Sequence, residues 1–262
     1  MIHTIFFLVC FLASVAGAIC GMGGGVIIKP VLDAFGILDV GTISFLSGCT
    51  VLSMTTYSVW KGRMEKGRAE NKGVRLSLAA GAAGGGLLGK WMFSFAAALS
   101  PDQNRVGAVQ AACLLLVTVG TLLYTLYKDK IHTLHVNNKA CCLFIGITLG
   151  VLSSFLGIGG GPINLVVLFY FFSMSTKEAV QSSLSIIFFS QAASLLSSVV
   201  TGNVPEFPVE LLALMVGGGI LGGVCGRACN CRMEERTVDR LFLGLMVLVI
   251  LINVYNISKY GG

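Results

Sequence analysis

Hydrophobic positions in this chain come in long runs rather than in alternation. Eight apolar blocks stand out, at residues 2–38, 40–60, 73–99, 105–127, 140–172, 177–200, 208–230 and 238–258. A helix needs about 20 apolar residues to cross a bilayer, so six blocks predict one span each. The first and fifth are longer and are each interrupted by glycines. The interruptions are Gly21-Met22-Gly23-Gly24-Gly25 and Gly157-Ile158-Gly159-Gly160-Gly161-Pro162. Each glycine costs about 1 kcal/mol relative to alanine inside a helix. In lipid, any backbone group freed by a break must find a partner in protein or in a water-filled cavity. Each long block is therefore expected as one span plus a half-helix, or as two short helices.

The pattern repeats. Gly21, Gly23, Gly24 and Gly25 fall 136 positions before Gly157, Gly159, Gly160 and Gly161. Gly81, Gly85, Gly86, Gly89 and Lys90 fall 137 positions before Gly218, Gly222, Gly223, Gly226 and Arg227. The chain thus divides into a first transmembrane repeat at 1–130, a connecting loop at 131–137 and a second repeat at 138–262. Loop charge sets their orientation. Lys61, Arg63, Lys66, Arg68, Lys72 and Arg75 place one loop in the cytoplasm, whereas its counterpart, 201–206, carries no positive charge. The loop at Pro101-Asp102 is nearly neutral, but its counterpart holds Arg227, Arg232, Arg236 and Arg240. The bias changes sign between halves, as it does in an inverted repeat. The predicted fold is all-α and polytopic. It has two inverted repeats of four to five helices, with glycine-broken helices at the midplane. Eight plain spans with parallel halves are the competing arrangement.

Composition narrows the class. The 262 residues are 55% hydrophobic and 11% charged, with a mean hydropathy of +0.86. Soluble domains carry about 25% charged residues. This is an integral, multi-pass membrane protein, and its net charge of +6 orients loops rather than binding nucleic acid. The start, Met1-Ile2-His3-Thr4, lacks the positive region of a signal peptide, so the first block reads as a retained segment. No cofactor or metal is expected. Cys225, Cys229 and Cys231 match no zinc spacing, and no Gly-Lys-Ser/Thr follows the glycines. His3, His132 and His135 form no catalytic cluster, and no enzymatic activity is expected. No aspartate or glutamate is read as lying deep in an apolar block, so no carboxylate proton relay is expected.

The glycine clusters have two readings. Their backbone N–H groups, with the positive end of the following helix, can cradle an anion. Alternatively, they let two helices cross closely. Lys29, four residues past Gly25, either partners an anionic substrate or snorkels to the interface. Asn164 holds the comparable place in the second half. It either bonds a substrate oxygen or satisfies backbone freed by Pro162. Downstream lie two polar faces, which include Ser47 and Thr50 in one half and Gln181, Ser183 and Gln191 in the other. They line a cavity or act as interhelical glue worth about 0.6 kcal/mol per contact. The candidate substrate-binding set is therefore Gly23, Gly24, Gly25, Lys29, Ser47, Thr50, Gly159, Gly160, Gly161, Asn164, Gln181, Ser183 and Gln191. The stripes Gly81–Gly85–Gly89 and Gly218–Gly222–Gly226 are small-xxx-small packing motifs, expected to pack on the partner repeat. A homodimer contact is their second use.

The doubled cluster, with Pro30 and Pro162 downstream and the two later glycine stripes, resembles the TauE/SafE sulfite-exporter (TSUP) family across essentially the whole chain. Pro30 has Val166 at the matching place in the second half, and Lys29 is not a general family feature. The resemblance implies a bacterial inner-membrane permease for sulfur-containing anions such as sulfite, thiosulfate or organosulfonates, coupled to protons. A channel for the same ions is the first alternative. A membrane scaffold or intramembrane enzyme is the second.

Overall fold

Both glycine clusters end one helix and start another, so the eight apolar blocks become ten helices. The computed structural model describes residues 2–65, 72–99 and 103–261. Among these, the helices are α1 (Ile2–Cys20), α2 (Gly25–Phe35), α3 (Val40–Glu65), α4 (Lys72–Leu99), α5 (Gln103–Tyr127), α6 (Lys139–Phe155), α7 (Pro162–Phe172), α8 (Thr176–Val200), α9 (Val209–Arg232) and α10 (Glu235–Gly261). A short 3-10 turn covers Lys128–Lys130. No strand occurs among the described residues. Five helices (α1, α5, α8, α9 and α10) are long and apolar enough to cross a membrane. The charges of Lys66 and Arg68 and the Pro101-Asp102 connection lie outside the described residues.

Each long block is a hairpin. Positions 21 and 23 hold φ of 73° and 71°, a region glycine enters without the Cβ penalty. They turn the chain back so that a Cβ on Gly17 would lie 2.7 Å from the Gly23 carbonyl carbon. Helix α2 then runs eleven residues, about 16 Å, and stops at Gly36, whose φ of 65° places it in the left-handed cap. In the second hairpin α6 starts beside the end of α7. The 131–138 linker fixes this, because Leu134 and Val136 donate to the carbonyls of Tyr170 and Phe171 at 2.7 and 2.9 Å. Pro162 opens α7 at the one place where a missing N–H costs nothing.

These turns sort the helix termini into two ends. At one, Lys128 of the 3-10 turn after α5 pairs with Asp239 of α10, which also accepts from Thr176 at the start of α8. Lys61 and Arg227 lie at the same end: Arg227 donates to the Ser58 carbonyl at 3.0 Å. At the other end, Phe45 at the start of α3 stacks on Phe207 of the 201–208 loop. Lys259 of α10 donates there to the Ala34 carbonyl at 3.0 Å.

Glycine stripes carry two close helix crossings. On α4, Cβ atoms at Gly85 and Gly89 would lie 2.9 Å from backbone atoms of Ile147 and Val151 in α6, and Gly81 lies against Leu143. On α9, Gly218 lies against Phe7, Gly222 against Phe11 and Gly226 against Val15 in α1. Phe7, Phe11 and Val15 precede Leu143, Ile147 and Val151 by 136 positions. Both stripes therefore pack across the 131–138 linker, as expected, and they meet equivalent residues there. The carbonyls they approach leave no room for a side chain, so only small residues allow these crossings.

Candidate functional site

The two breaks fold against each other. A Cβ on Gly25 would lie 2.7 Å from the Ile158 carbonyl carbon and closer still to its oxygen. A Cβ on Gly23 would lie 3.5 Å from the Gly159 carbonyl oxygen. Two apolar residues wedge the joint. Val51 of α3 lies against Gly25 and Gly159, and Ile187 of α8 lies against Gly23 and Gly160. They too are 136 positions apart. Gly159 and Gly160 hold φ of 71° and 126°, whereas Gly161 is extended. Gly24 caps α2: its carbonyl accepts from Ile27 and Ile28 at 3.0 and 2.9 Å.

Asn164 sits in the first turn of α7, only 1% exposed, and neither its side-chain oxygen nor its nitrogen has a hydrogen-bond partner. Its nitrogen lies 3.4 Å from where a Cβ on Gly160 would stand. A buried amide without partners costs about 1–3 kcal/mol. The structure also answers what satisfies the backbone beside Pro162: the Asn164 backbone N–H bonds the Gly161 carbonyl, and the side chain takes no part.

Polar residues of α3 and α8 divide among different roles. Ser183 donates to the Gly21 carbonyl at 2.6 Å, closing the first break. Ser47, its counterpart 136 positions earlier, is fully buried and its hydroxyl has no partner. Gln191 is 4% exposed and spans from α3 to the second break. Its oxygen lies 3.0 Å from a Cβ on Gly48, and its nitrogen 3.2 Å from one on Gly159. Thr50 bonds its own helix at the Leu46 carbonyl and lies against Gly219 of α9. Gln181 lies against Gly62, toward the Arg227 end. The breaks thus gather Ser47's helix, Ser183, Gln191 and Asn164, while Thr50 and Gln181 face elsewhere.

Lys29 is 3% exposed and pairs with Asp33 at 3.0 Å. Lys29 thus ends on a carboxylate, and Asp33, two residues before the end of α2, is buried beside it. The i, i+4 spacing on α2 brings the two side chains over one another. One Asp33 oxygen is left without a partner. Lys29 reaches the second break too: its Cε lies 3.4 Å from a Cβ on Gly157.

Beside Gly157 a small cleft opens between α3, α4, α6 and α8, with a cavity volume of ≈ 20 Å³, room for about one water. Ser44, Lys90, Ser154, Gln191, Ser194 and Ser198 supply its polar lining. The sequence reading pairs Lys90 with Arg227 but does not place it at the site. A cation inside an apolar block was the signal that could have done so.

A family model, sulfite exporter TauE/SafE, matches residues 6–252. A probable membrane transporter protein, YunE of Bacillus subtilis, is 31% identical over 105 residues, covering 40% of this chain and 37% of that protein. MamO of Magnetospirillum gryphiswaldense, also a probable membrane transporter protein, is 24% identical over 110 residues. That match covers 40% of this chain and 17% of MamO. The aligned stretches thus span well under half of these relatives. No solved structure matches. The extent of the family match, with the paired glycine breaks in a helical membrane fold, places this chain in the TauE/SafE sulfite-exporter family.

Proposed function

We propose that this protein is a secondary transporter of a small sulfur-containing anion such as sulfite, thiosulfate or an organosulfonate, bound where the two glycine breaks meet. The observation that carries this reading is Asn164, a buried amide with both polar atoms unpartnered beside those breaks. A bound oxyanion would supply the acceptor that amide lacks, and the N-terminal end of α7 would add its positive dipole. The protein lies in the cell membrane, with the Lys128, Arg227 and Lys61 end in the cytoplasm. The two sides of the 131–138 linker act as inverted repeats that rock against each other to alternate access, with proton coupling. The reciprocal crossings of α4 on α6 and α9 on α1, through residues at one sequence offset, support that arrangement.

A second reading has its own observation. The close approach of Gly25 to Ile158 suits a packing joint that binds nothing. Thermal melts of the purified protein with sulfite, thiosulfate, sulfate, taurine, sulfoacetate, acetate and chloride separate the two. A ligand of the folded state adds about 2.7 kcal/mol at a hundredfold excess over its Kd. One sulfur anion is expected to raise the melting temperature of the wild type, and Asn164→Leu is expected to abolish the rise without lowering the basal melt. If no anion shifts the wild-type melt, the breaks are a packing joint.

A further inference from the structure

The charges near the breaks are not equally available. Lys29 is neutralised by Asp33. Arg227 is engaged with the Ser58 carbonyl. Lys90 has no carboxylate partner among the described residues; its ammonium lies over the Phe93 ring, 5.3 Å from the centroid. It stands half-buried inside an apolar block, nine residues before Leu99 at the end of α4. Its neighbours Leu87, Leu88 and Trp91 face outward. Lys90 itself lines the cleft at Gly157.

We propose that this cleft is an anion-docking vestibule in which Lys90 is the charge partner of a small oxyanion on its way to the glycine breaks. The proposal rests on the anion reading above. The polar lining holds hydroxyls, an amide and one ammonium, and no carboxylate. Such a set offers donors to an oxyanion and nothing to hold a cation. Gln191 belongs both to the cleft and to the second break, so it can pass the anion from one to the other.

Access is one-sided. At the equivalent place in the other half Arg227 is bonded to the Ser58 carbonyl, Gln181 lies against Gly62, and Ser183 closes Gly21. Ser47 makes no matching bond at Gly157. The vestibule therefore opens toward the 201–208 end and is shut toward the Arg227 end.

The test uses the full chain in proteoliposomes, with sulfite, thiosulfate and sulfoacetate each as the probe. For the anion carried, Lys90→Met is expected to raise KM by about tenfold or more, the effect of losing one charged hydrogen bond. The kcat is expected to stay near the wild-type value, and Lys90→Arg is expected to recover most of the KM. An unchanged KM in Lys90→Met overturns the vestibule and leaves the anion reading standing. A wild type that carries none of the three overturns both. A second measurement needs no variant. Acetylation of wild-type Lys90 by an amine-reactive ester, read by peptide mass, is expected to fall several-fold in saturating transported anion, while exposed Lys61 is unchanged. Equal loss at both lysines, or at neither, overturns the proposal.

Discussion

Gly25→Ala opposes two effects of known size. Helix propensity favours alanine over glycine by about 1 kcal/mol, and Gly25 has no positive φ to lose. Against this, the new methyl would stand 2.7 Å from the Ile158 carbonyl carbon, nearer its oxygen, and 3.0 Å from a Val51 methyl. Val51 can turn, but Ile158 meets Gly25 with backbone, so the two breaks must separate. Overpacking of this kind costs about 1–3 kcal/mol, and a backbone neighbour argues for the upper end. The net expectation is a loss of about 2 kcal/mol, or roughly 4–8 °C in melting temperature for a chain of this size. Gly217→Ala is the control. Nothing lies within 4 Å of its Cβ position, so propensity acts alone and the melt should hold or rise. The assay is the thermal melt of each purified protein in one detergent. A Gly25→Ala protein that melts at or above wild type, alongside an unharmed Gly217→Ala, refutes the contact between the two breaks.

Three further outcomes are expected, each read by the same melt. Lys29→Met strands the buried Asp33 carboxylate and should cost about 3–5 kcal/mol, with Lys29→Met/Asp33→Leu recovering most of it; a double variant as unstable as the single refutes the pair. Ser183→Ala leaves the Gly21 carbonyl without its donor and should cost about 1–3 kcal/mol. Ser47→Ala, which removes a buried hydroxyl without a partner, should hold or raise the melt; equal losses at the two serines would remove the asymmetry between the breaks. Gly85→Leu on α4 and Gly222→Leu on α9 should each destabilise by at least as much as Gly25→Ala, since both meet a neighbouring helix within 3 Å; a difference between them larger than the cost itself would count against equivalent crossings.

Much of this fold is legible in the sequence because its main determinants are backbone matters. A run of glycines both forbids continuous helix and permits close crossing, so Gly21–Gly25, Gly157–Gly161 and the stripes at Gly81 and Gly218 announce turns and contacts directly. Their near-equal offsets announce two repeats whose stripes pack on one another, while the helices they meet, α6 for α4 and α1 for α9, are set by the tertiary fold. Polar side chains are harder to place. A hydroxyl in an apolar helix can turn onto its own helix's carbonyl, as Thr50 does, or reach another segment, as Ser183 does. Spacing along the helix does not separate the two. Val51 and Ile187, which wedge the joint, look like any other apolar residues, and only their offset links them.

The two lysines inside apolar blocks, Lys29 buried and Lys90 half-buried, show how charge must be counted. A lysine in an apolar block invites a functional role, and Lys29, close to Gly25, is the natural choice. Its carboxylate partner is visible in the sequence as well, four residues on at Asp33, the spacing that stacks side chains on one helical face. The pair sums to zero and offers an anion little. Lys90 has no acidic residue three or four positions away on either side, so nothing local can neutralise it. Counting charge per helical turn, rather than per residue, therefore ranks Lys90 above Lys29 as the partner of an anion. The same count predicts the contrast between the variants: Lys29→Met should change stability more than KM, and Lys90→Met should change KM more than stability.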